Sequence, residues 1–340
     1  MHAQRVRAAL RGWGGVGAMA VVCALALTFV LLLPLSQSHG GGAQGLGEQG
    51  VGGQGVADGR QARAETCKDP EKQTLSPSGA DGPTIARIKA RQGDKRKIIV
   101  GVDQNSYRWG YRNPNNKGAE LEGFDIDLAH RIAKDILGSP DDVQFKAIPT
   151  SQRTEAVKSG RVDMVVRTMT ITCDRLSEVA FSAPYFKTGQ QVLAPKSSSI
   201  EGYGPTLAHR RVCAAAGSTA YARLDHDKVA GKLITVPNQL DCLVRLQLGE
   251  VDAVVTDAAL AASQAAQDPT VELKGDPFTT DYYGVAMNKD AKDLIRRVNQ
   301  ILVQYRASGW QESYDTWLSA TLGQDSGPSK PPAPEYLRKS

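Results

Sequence analysis

The sequence predicts an α/β protein of two lobes, joined by two crossing segments, with a ligand cleft between them. Between about residues 95 and 320, apolar runs of strand length alternate with segments of helical periodicity, the pattern of parallel sheets covered by helices. The alternation runs as two series, 95 to 187 and 192 to 280, with helical sequence left over at the C-terminal end. A length of 340 residues allows each series to bury its own core.

The elements follow in order. KIIVGVD (97–103) reads as a strand, and FDIDLAHRIAKDIL (124–137) as a helix with apolar residues at helical spacing, stopped by Gly138, Ser139 and Pro140. VQFKAI (143–148) is a short strand, QRTEAVKSG (152–160) a helix closed by Gly160, and VDMVVRT (162–168) a strand. After Pro184 the chain restarts with the strand QQVLAP (190–195), then RRVCAAA (210–216), the helix STAYARLDH (218–226) and the strand LITVP (233–237). The helix LDCLVRLQLG (240–249), the strand VDAVVTD (251–257), a strand around YYGVAMN (282–288) and a helix from Asp290 to Ser308 complete the series. The expected lobes are 95–190 with 282–321, and 191–281. A Pro-rich tail occupies 322–340, and an N-terminal extension 67–94.

The N-terminus sets the compartment. Arg5, Arg7 and Arg11 precede an almost uncharged apolar run from Val16 to Leu35, a basic n-region followed by a hydrophobic signal or anchor. The run approaches the roughly 20 residues that cross a bilayer, so a retained anchor is expected, with cleavage near Ser36-Gln37-Ser38 as the alternative. Cys23 lies mid-run without a small residue before it, which argues against lipidation. Residues 36–66, rich in Gly and Gln, read as a tether. Two matches to GxGxxG, at 12–17 and 45–50, follow no strand and open no amphipathic helix, so neither reads as a dinucleotide site.

The formal charge of +5 is spread along the chain rather than clustered, which argues against a nucleic-acid partner. Outside the cytoplasm, Cys67, Cys173, Cys213 and Cys242 form an even set expected to pair, and four cysteines admit three pairings. They show no CxxC spacing, so no metal site is expected. None of the histidines (His2, His39, His130, His209, His226) falls in a catalytic pattern.

GVDQNSYRWGY, LEGFDIDLAHRIA, SGRVDMVVRTMTITCDR, VAFSAPYFKTGQQVL, AAAGSTAYARL, LGEVDAVVTD and DPFTTDYYGVAMNKD resemble, in order, the signatures of family 3 extracellular solute-binding proteins, the polar amino-acid receptors of ABC importers. TMTITCDR, RRVCAA and LDCLVRLQ resemble in particular the actinobacterial glutamate/glutamine-binding branch. The resemblance implies a periplasmic-binding-protein-like fold, a monomeric receptor, an amino-acid ligand and an ABC permease as partner. It implies no cofactor and no enzymatic step.

On that resemblance, Arg175 forks onto the ligand α-carboxylate, where Lys lacks the planar geometry. Thr170 adds its N–H and hydroxyl, and the Thr168 carbonyl accepts from the ammonium. Gly217, Ser218 and Thr219 open a helix whose N–H groups suit the second carboxylate oxygen, and Asp257 pairs with the ammonium. Arg153 and Arg167 suggest an acidic side chain. Asp103 tempers this, because an aspartate there neutralises one arginine and leaves amides tolerated. The resulting order is glutamate, aspartate, asparagine, glutamine. Tyr107 and Trp109 are expected to wall the ligand methylenes.

Within the architecture implied, a Cys213–Cys242 bridge stays inside one lobe, and Cys67 then ties the extension to Cys173. Without the resemblance the same residues admit plainer roles: Arg175 paired with Glu178, Ser218 and Asp257 as helix caps, Tyr107 and Trp109 as core. Two other functions also stand beside transport. One is a membrane-anchored sensor reporting to a signalling partner, and the other an enzyme on the same fold.

Overall fold

The computed structural model describes residues 67–115, 118 and 120–338. The expected n-region and hydrophobic segment, the tether, Cys23 and both GxGxxG matches lie outside the described residues. Among the described residues no helix is long and apolar enough to cross a membrane.

The first sheet is built from Ile98–Val102 (β1), Val143–Ala147 (β2), Met164–Val165 (β3), Ala180–Phe181 (β4) and, from late in the chain, Ala286–Met287. β1 pairs in parallel with β2 and β3, while Ala286–Met287 runs antiparallel between β3 and β4. A central parallel strand is covered on both faces, which is why IIVGV is almost wholly apolar and buried. The second sheet contains Gln190–Pro195 (β5), Arg211–Ala215 (β6), Lys232–Val236 (β7), Ala253–Asp257 (β8) and Val271–Lys274 (β9), in the order β7-β6-β8-β5-β9. Here β6 is parallel to β7 and β8, and β5 is antiparallel to β8 and β9. Each sheet has an apolar cluster on either face.

Two segments join the lobes, Phe186–Thr188 and Asp281–Tyr283, paired antiparallel. They pass closely: a Cβ added at Gly189 would lie 2.1 Å from the Thr279 carbonyl oxygen, so only glycine fits there.

The strand expected over 162–168 keeps its ladder only at Met164–Val165, because the chain leaves it to form a turn in which Thr168 has a φ of 41°. The strand expected around YYGVAMN divides instead into a hinge strand and a sheet strand. Gly284 and Val285 carry the chain between them. The helix Ala258–Gln267 (α1) enters the sequence reading only as the segment Asp257 could cap, with no bounds of its own. Its AALAASQAAQ run has strong helix formers but hardly any large apolar residue to mark a face. Further short helices of the site are Arg153–Lys158 (α2) and Cys173–Glu178 (α3) in the first lobe, and Thr219–Asp227 (α4) and Gln239–Gln247 (α5) in the second.

The disulfides are Cys67–Cys173 and Cys213–Cys242. The second joins β6 to α5 in the core of its lobe. The first fastens the start of the described chain to the first residue of α3. Thr74 and Leu75 continue that anchorage, since Thr74 Oγ1 donates to the Phe181 carbonyl and Asn299 Nδ2 donates to both Thr74 and Leu75. The C-terminal tail runs alongside, with Leu337 N–H donating to Lys72 O and Arg338 N–H to Thr74 O.

Candidate functional site

The ends of β1 and β3, the turn after β3 and α2 face the ends of β6 and β8 across the cleft. The lobes touch there. Thr150 N–H donates to Pro237 O at 3.2 Å, Thr150 Oγ1 to Gln239 Oε1 at 3.0 Å, and Arg167 Nη2 to Asn238 Oδ1 at 3.2 Å.

Three guanidiniums gather at this junction. Arg167 is wholly buried, and its Nη2 donates to Asp103 Oδ2 at 2.7 Å, with Nη1 on Thr150 Oγ1. Asp103 is held for that role by Ser106 Oγ and by the N–H groups of Gln104 and Asn105. Arg153 is also buried, but its hydrogen bonds all go to main-chain carbonyls: Thr150 O, Arg167 O, Thr168 O and, across the cleft, Gly217 O. Arg175, half-buried, likewise donates to Thr170 O at 2.6 Å and Gly217 O at 3.0 Å. Burial, and then the neighbouring Arg175 and Arg167, pull the Arg153 pKa well down, although a guanidinium stays charged at neutral pH. Among the described residues neither Arg153 nor Arg175 makes a side-chain ion pair, although Asp257 acts on both and Asp281 on Arg175 from farther off.

Glu178, the plainer partner for Arg175, is taken by Lys158 at 2.8 Å. Arg175 bonds Thr170 O and Gly217 O instead, at the edge of an open cavity of about 330 Å³ that Thr150, Arg153, Met169 and Gly217 line together with the carboxylates Glu155 and Glu178.

The acidic side of the site is Asp257, at the end of β8. It makes no side-chain cap to α1, and its Oδ2 accepts from the Tyr283 hydroxyl at 2.7 Å. Burial, and then Asp281 on the hinge, push its carboxyl up to about 7. Tyr283, Arg153 and Arg175 act in the opposite direction.

The structure brings Arg153, Arg167, Arg175, Thr168, Thr170, Asp103, Gly217 and Asp257 to one junction, and it alters the expected parts of others. Ser218 is the N-cap of α4, its Oγ accepting the Tyr221 N–H at 3.0 Å, and Thr219 is the first helical residue. Gly217 faces the arginines with its carbonyl rather than its N–H. Its φ is +74°, and an added Cβ would stand 2.8 Å from Ser151 Cα of the other lobe. A side chain there would hold the lobes apart.

Trp109 does not wall this cavity. It is wholly buried among Phe124, Phe186 and Tyr283, and its Nε1 donates to Ser263 of α1. A large aromatic next to an apolar cluster gains more from full burial than from half-exposure at a cleft. Tyr107 lies edge-on to Tyr111 in a narrow crevice against Gln239, Leu260 and Gln264 and does not line the cavity beside Arg175.

The family described as Bacterial extracellular solute-binding proteins, family 3, matches residues 98–320. The chain belongs to this family. It is 35% identical over 236 residues to the ABC transporter glutamine-binding protein GlnH of Bacillus subtilis, covering 69% of this chain and 84% of that one. To the glutamate-binding protein GluB of Corynebacterium glutamicum it is 27% identical, covering 73% and 84%. Among solved structures, a solute receptor for L-cysteine of Neisseria gonorrhoeae superposes with a TM-score of 0.67 at 29% identity, covering 73% of this chain and all of that one. An ancestral arginine-binding protein bound to glutamine superposes with a TM-score of 0.59 at 32% identity, covering 67% and 98%.

Sequence reasoning missed Thr150, in a single 3-10 turn before α2, and Asn238 and Gln239, the N-cap and first residue of α5, whose Asn238-to-Asp241 capping spacing marks a helix start but not a lobe contact. It also missed Asp125, for which a signal existed. In the helix Phe124–Leu137, Asp125 shares the buried stripe of Leu128, Ala129 and Ile132, and an acid on that stripe needs a buried partner.

Proposed function

We propose that this protein captures a polar L-amino acid outside the cytoplasm, glutamate before aspartate, asparagine and glutamine, and hands it to an ABC permease without chemical change. Arg175 takes the α-carboxylate with Thr170 beside it, Asp257 and the Thr168 carbonyl take the ammonium, and Arg153 takes a side-chain carboxylate or amide oxygen. The observation that carries this is the pair Arg153 and Arg175, whose hydrogen bonds go only to carbonyl oxygens while Arg167 is already matched by Asp103. A ligand with two carboxylates would give each of these guanidiniums a charge-assisted hydrogen-bond partner.

Glutamine- and glutamate-binding relatives, and the ABC transporter named with one of them, support the same assignment. The two disulfides favour an oxidising compartment, and the hydrophobic N-terminal segment supplies the means of holding the protein at the outer membrane face.

Calorimetric titration of the chain with glutamate, aspartate, asparagine and glutamine tests the reading, with a rise in Tm as a second measure. Glutamate is expected to bind most tightly and leucine not at all. A chain that takes up none of the four polar amino acids refutes the proposal.

A further inference from the structure

Thr168 is a β-branched residue with a φ of 41°, a backbone conformation such residues rarely adopt. A buried carboxylate holds it there. Its N–H donates to Asp125 Oδ2 at 3.0 Å, and the other oxygen of that carboxylate accepts from the Tyr185 hydroxyl at 2.8 Å. Asp125 is 2% exposed and sits in the first turn of its helix, so both its direction and its partners are set by the core of the first lobe.

The consequence follows from peptide geometry. In a planar trans peptide the N–H and the C=O point in opposite directions. With the Thr168 N–H drawn inward to Asp125, the Arg167 carbonyl must point outward, and it does, meeting Arg153 Nη1 at 3.1 Å. In an extended strand the next carbonyl would point back the other way. The left-handed turn at Thr168 cancels that alternation, so the Thr168 carbonyl faces the same guanidinium at 3.4 Å. Two successive carbonyls thus converge on the cleft where β3 has ended.

We propose that Asp125 is a positioning residue for the ligand: by anchoring the Thr168 N–H it turns the Arg167 and Thr168 carbonyls into the cleft, where both hold the Arg153 guanidinium and the Thr168 carbonyl keeps a second lone pair for the ammonium. The proposal rests on the amino-acid reading above and adds to it a residue that touches no ligand. The other acid of the GFDID run has a different duty. Asp127 accepts from Ser313 Oγ and from Trp317 Nε1, fastening the helix Trp310–Trp317 to the lobe.

The test is a double-mutant cycle on the full chain, with L-glutamate as the probe. Asp125→Ala is expected to weaken glutamate binding by about tenfold, within the range of coupled neighbours. On a Thr168→Gly background, where the turn needs no anchor to avoid strain, the same change is expected to cost less than about threefold. Asp125→Asn keeps an acceptor for the N–H and can donate to the Tyr185 oxygen, so it should stay within about threefold of the parent.

Equal losses on both backgrounds, or no loss on either, overturn the proposal. Should Asp125→Ala fail to fold, the Thr168 amide proton decides in Asp125→Asn. It should move upfield as a charge-assisted bond becomes neutral, and an unmoved resonance overturns the proposal. Glutamate binding that is indifferent to Arg175→Lys and Asp257→Asn defeats the functional reading instead, and leaves the amide shift to report on the anchor.

Discussion

In the first lobe, β3 hands over to α3 through Arg167, Thr168, Thr170 and Thr172; in the second, β6 hands over to α4 through Ala216, Gly217 and Ser218. Both are strand-to-helix turns at the same cleft. The first presents long charged side chains, with Arg153 and Arg175 reaching across, while the second presents a bare carbonyl, Gly217 O, that both arginines reach. The difference divides the labour. One jaw carries the cationic side chains, and its selectivity can be changed by substituting them singly. The other brings the acid Asp257 and, at Gly217, shape: that residue must come within van der Waals distance of Ser151, so it has no side chain to substitute.

If that division holds, removing the fork from the charged jaw should have the largest effect. Arg175→Lys keeps the charge and loses the planar pair of donors. Glutamate affinity is expected to fall by about a hundredfold, the scale for truncating one side of a buried charge pair, as read by calorimetry. An unchanged affinity would place the carboxylate elsewhere.

The backbone jaw is tested by Gly217→Ala. The methyl group meets Ser151 Cα and disfavours a φ of +74°, so closure rather than chemistry should suffer. A loss of about thirtyfold in affinity is expected, on the scale that small misplacements produce. It should come with an increase in radius of gyration under saturating ligand. Compact, tight-binding Gly217→Ala would mean that the jaws need not approach as closely as they do here.

Asp103→Asn sharpens the charged jaw without breaking it. It releases Arg167 from the carboxylate it meets at 2.7 Å, leaving that guanidinium free to turn to the ligand. The ratio of glutamate to glutamine affinity is expected to rise by about tenfold, the scale of one charge-assisted hydrogen bond. A ratio that stays flat would put the ligand side chain out of reach of Arg167.

The same contrast explains what could be read from the sequence. The charged jaw announces itself in residue types: TMTITCDR places hydroxyls and an arginine where an apolar strand ends, and Asp257 closes another apolar strand. The lobes were legible because strand and helix periods alternate across them. Gly217 was legible as a helix start but not as an acceptor, since every residue has a carbonyl and only the fold decides which one faces the cleft. Trp109 was open to two readings because aromatics suit a core and a cleft wall alike. Thr168 carries no sign of its left-handed turn. The sign lies forty-three residues earlier, in an acid on a buried helix stripe.

The smallest expected effect concerns the acidic side and depends on protonation. Asp257 has its carboxyl pushed up to about 7, by burial first and then by Asp281, with Tyr283, Arg153 and Arg175 pulling the other way. Only the ionised form pairs with an ammonium, so binding must expel the proton that the free site holds below that value. Affinity therefore rises as the pH climbs toward about 7 and levels off above it. Between pH 6.5 and 7.5 the change for one proton is about threefold. Calorimetry in buffers of different ionisation enthalpy should show protons released on binding, more at the lower pH. Asp257→Asn should bind more weakly and lose the slope. A slope that survives this substitution would move the titrating group to Asp281 on the hinge or to Asp125, both pushed up by burial; loss of the slope in Asp125→Asn would then make the anchor of Thr168, rather than the partner of the ammonium, the pH-sensitive part of the cleft.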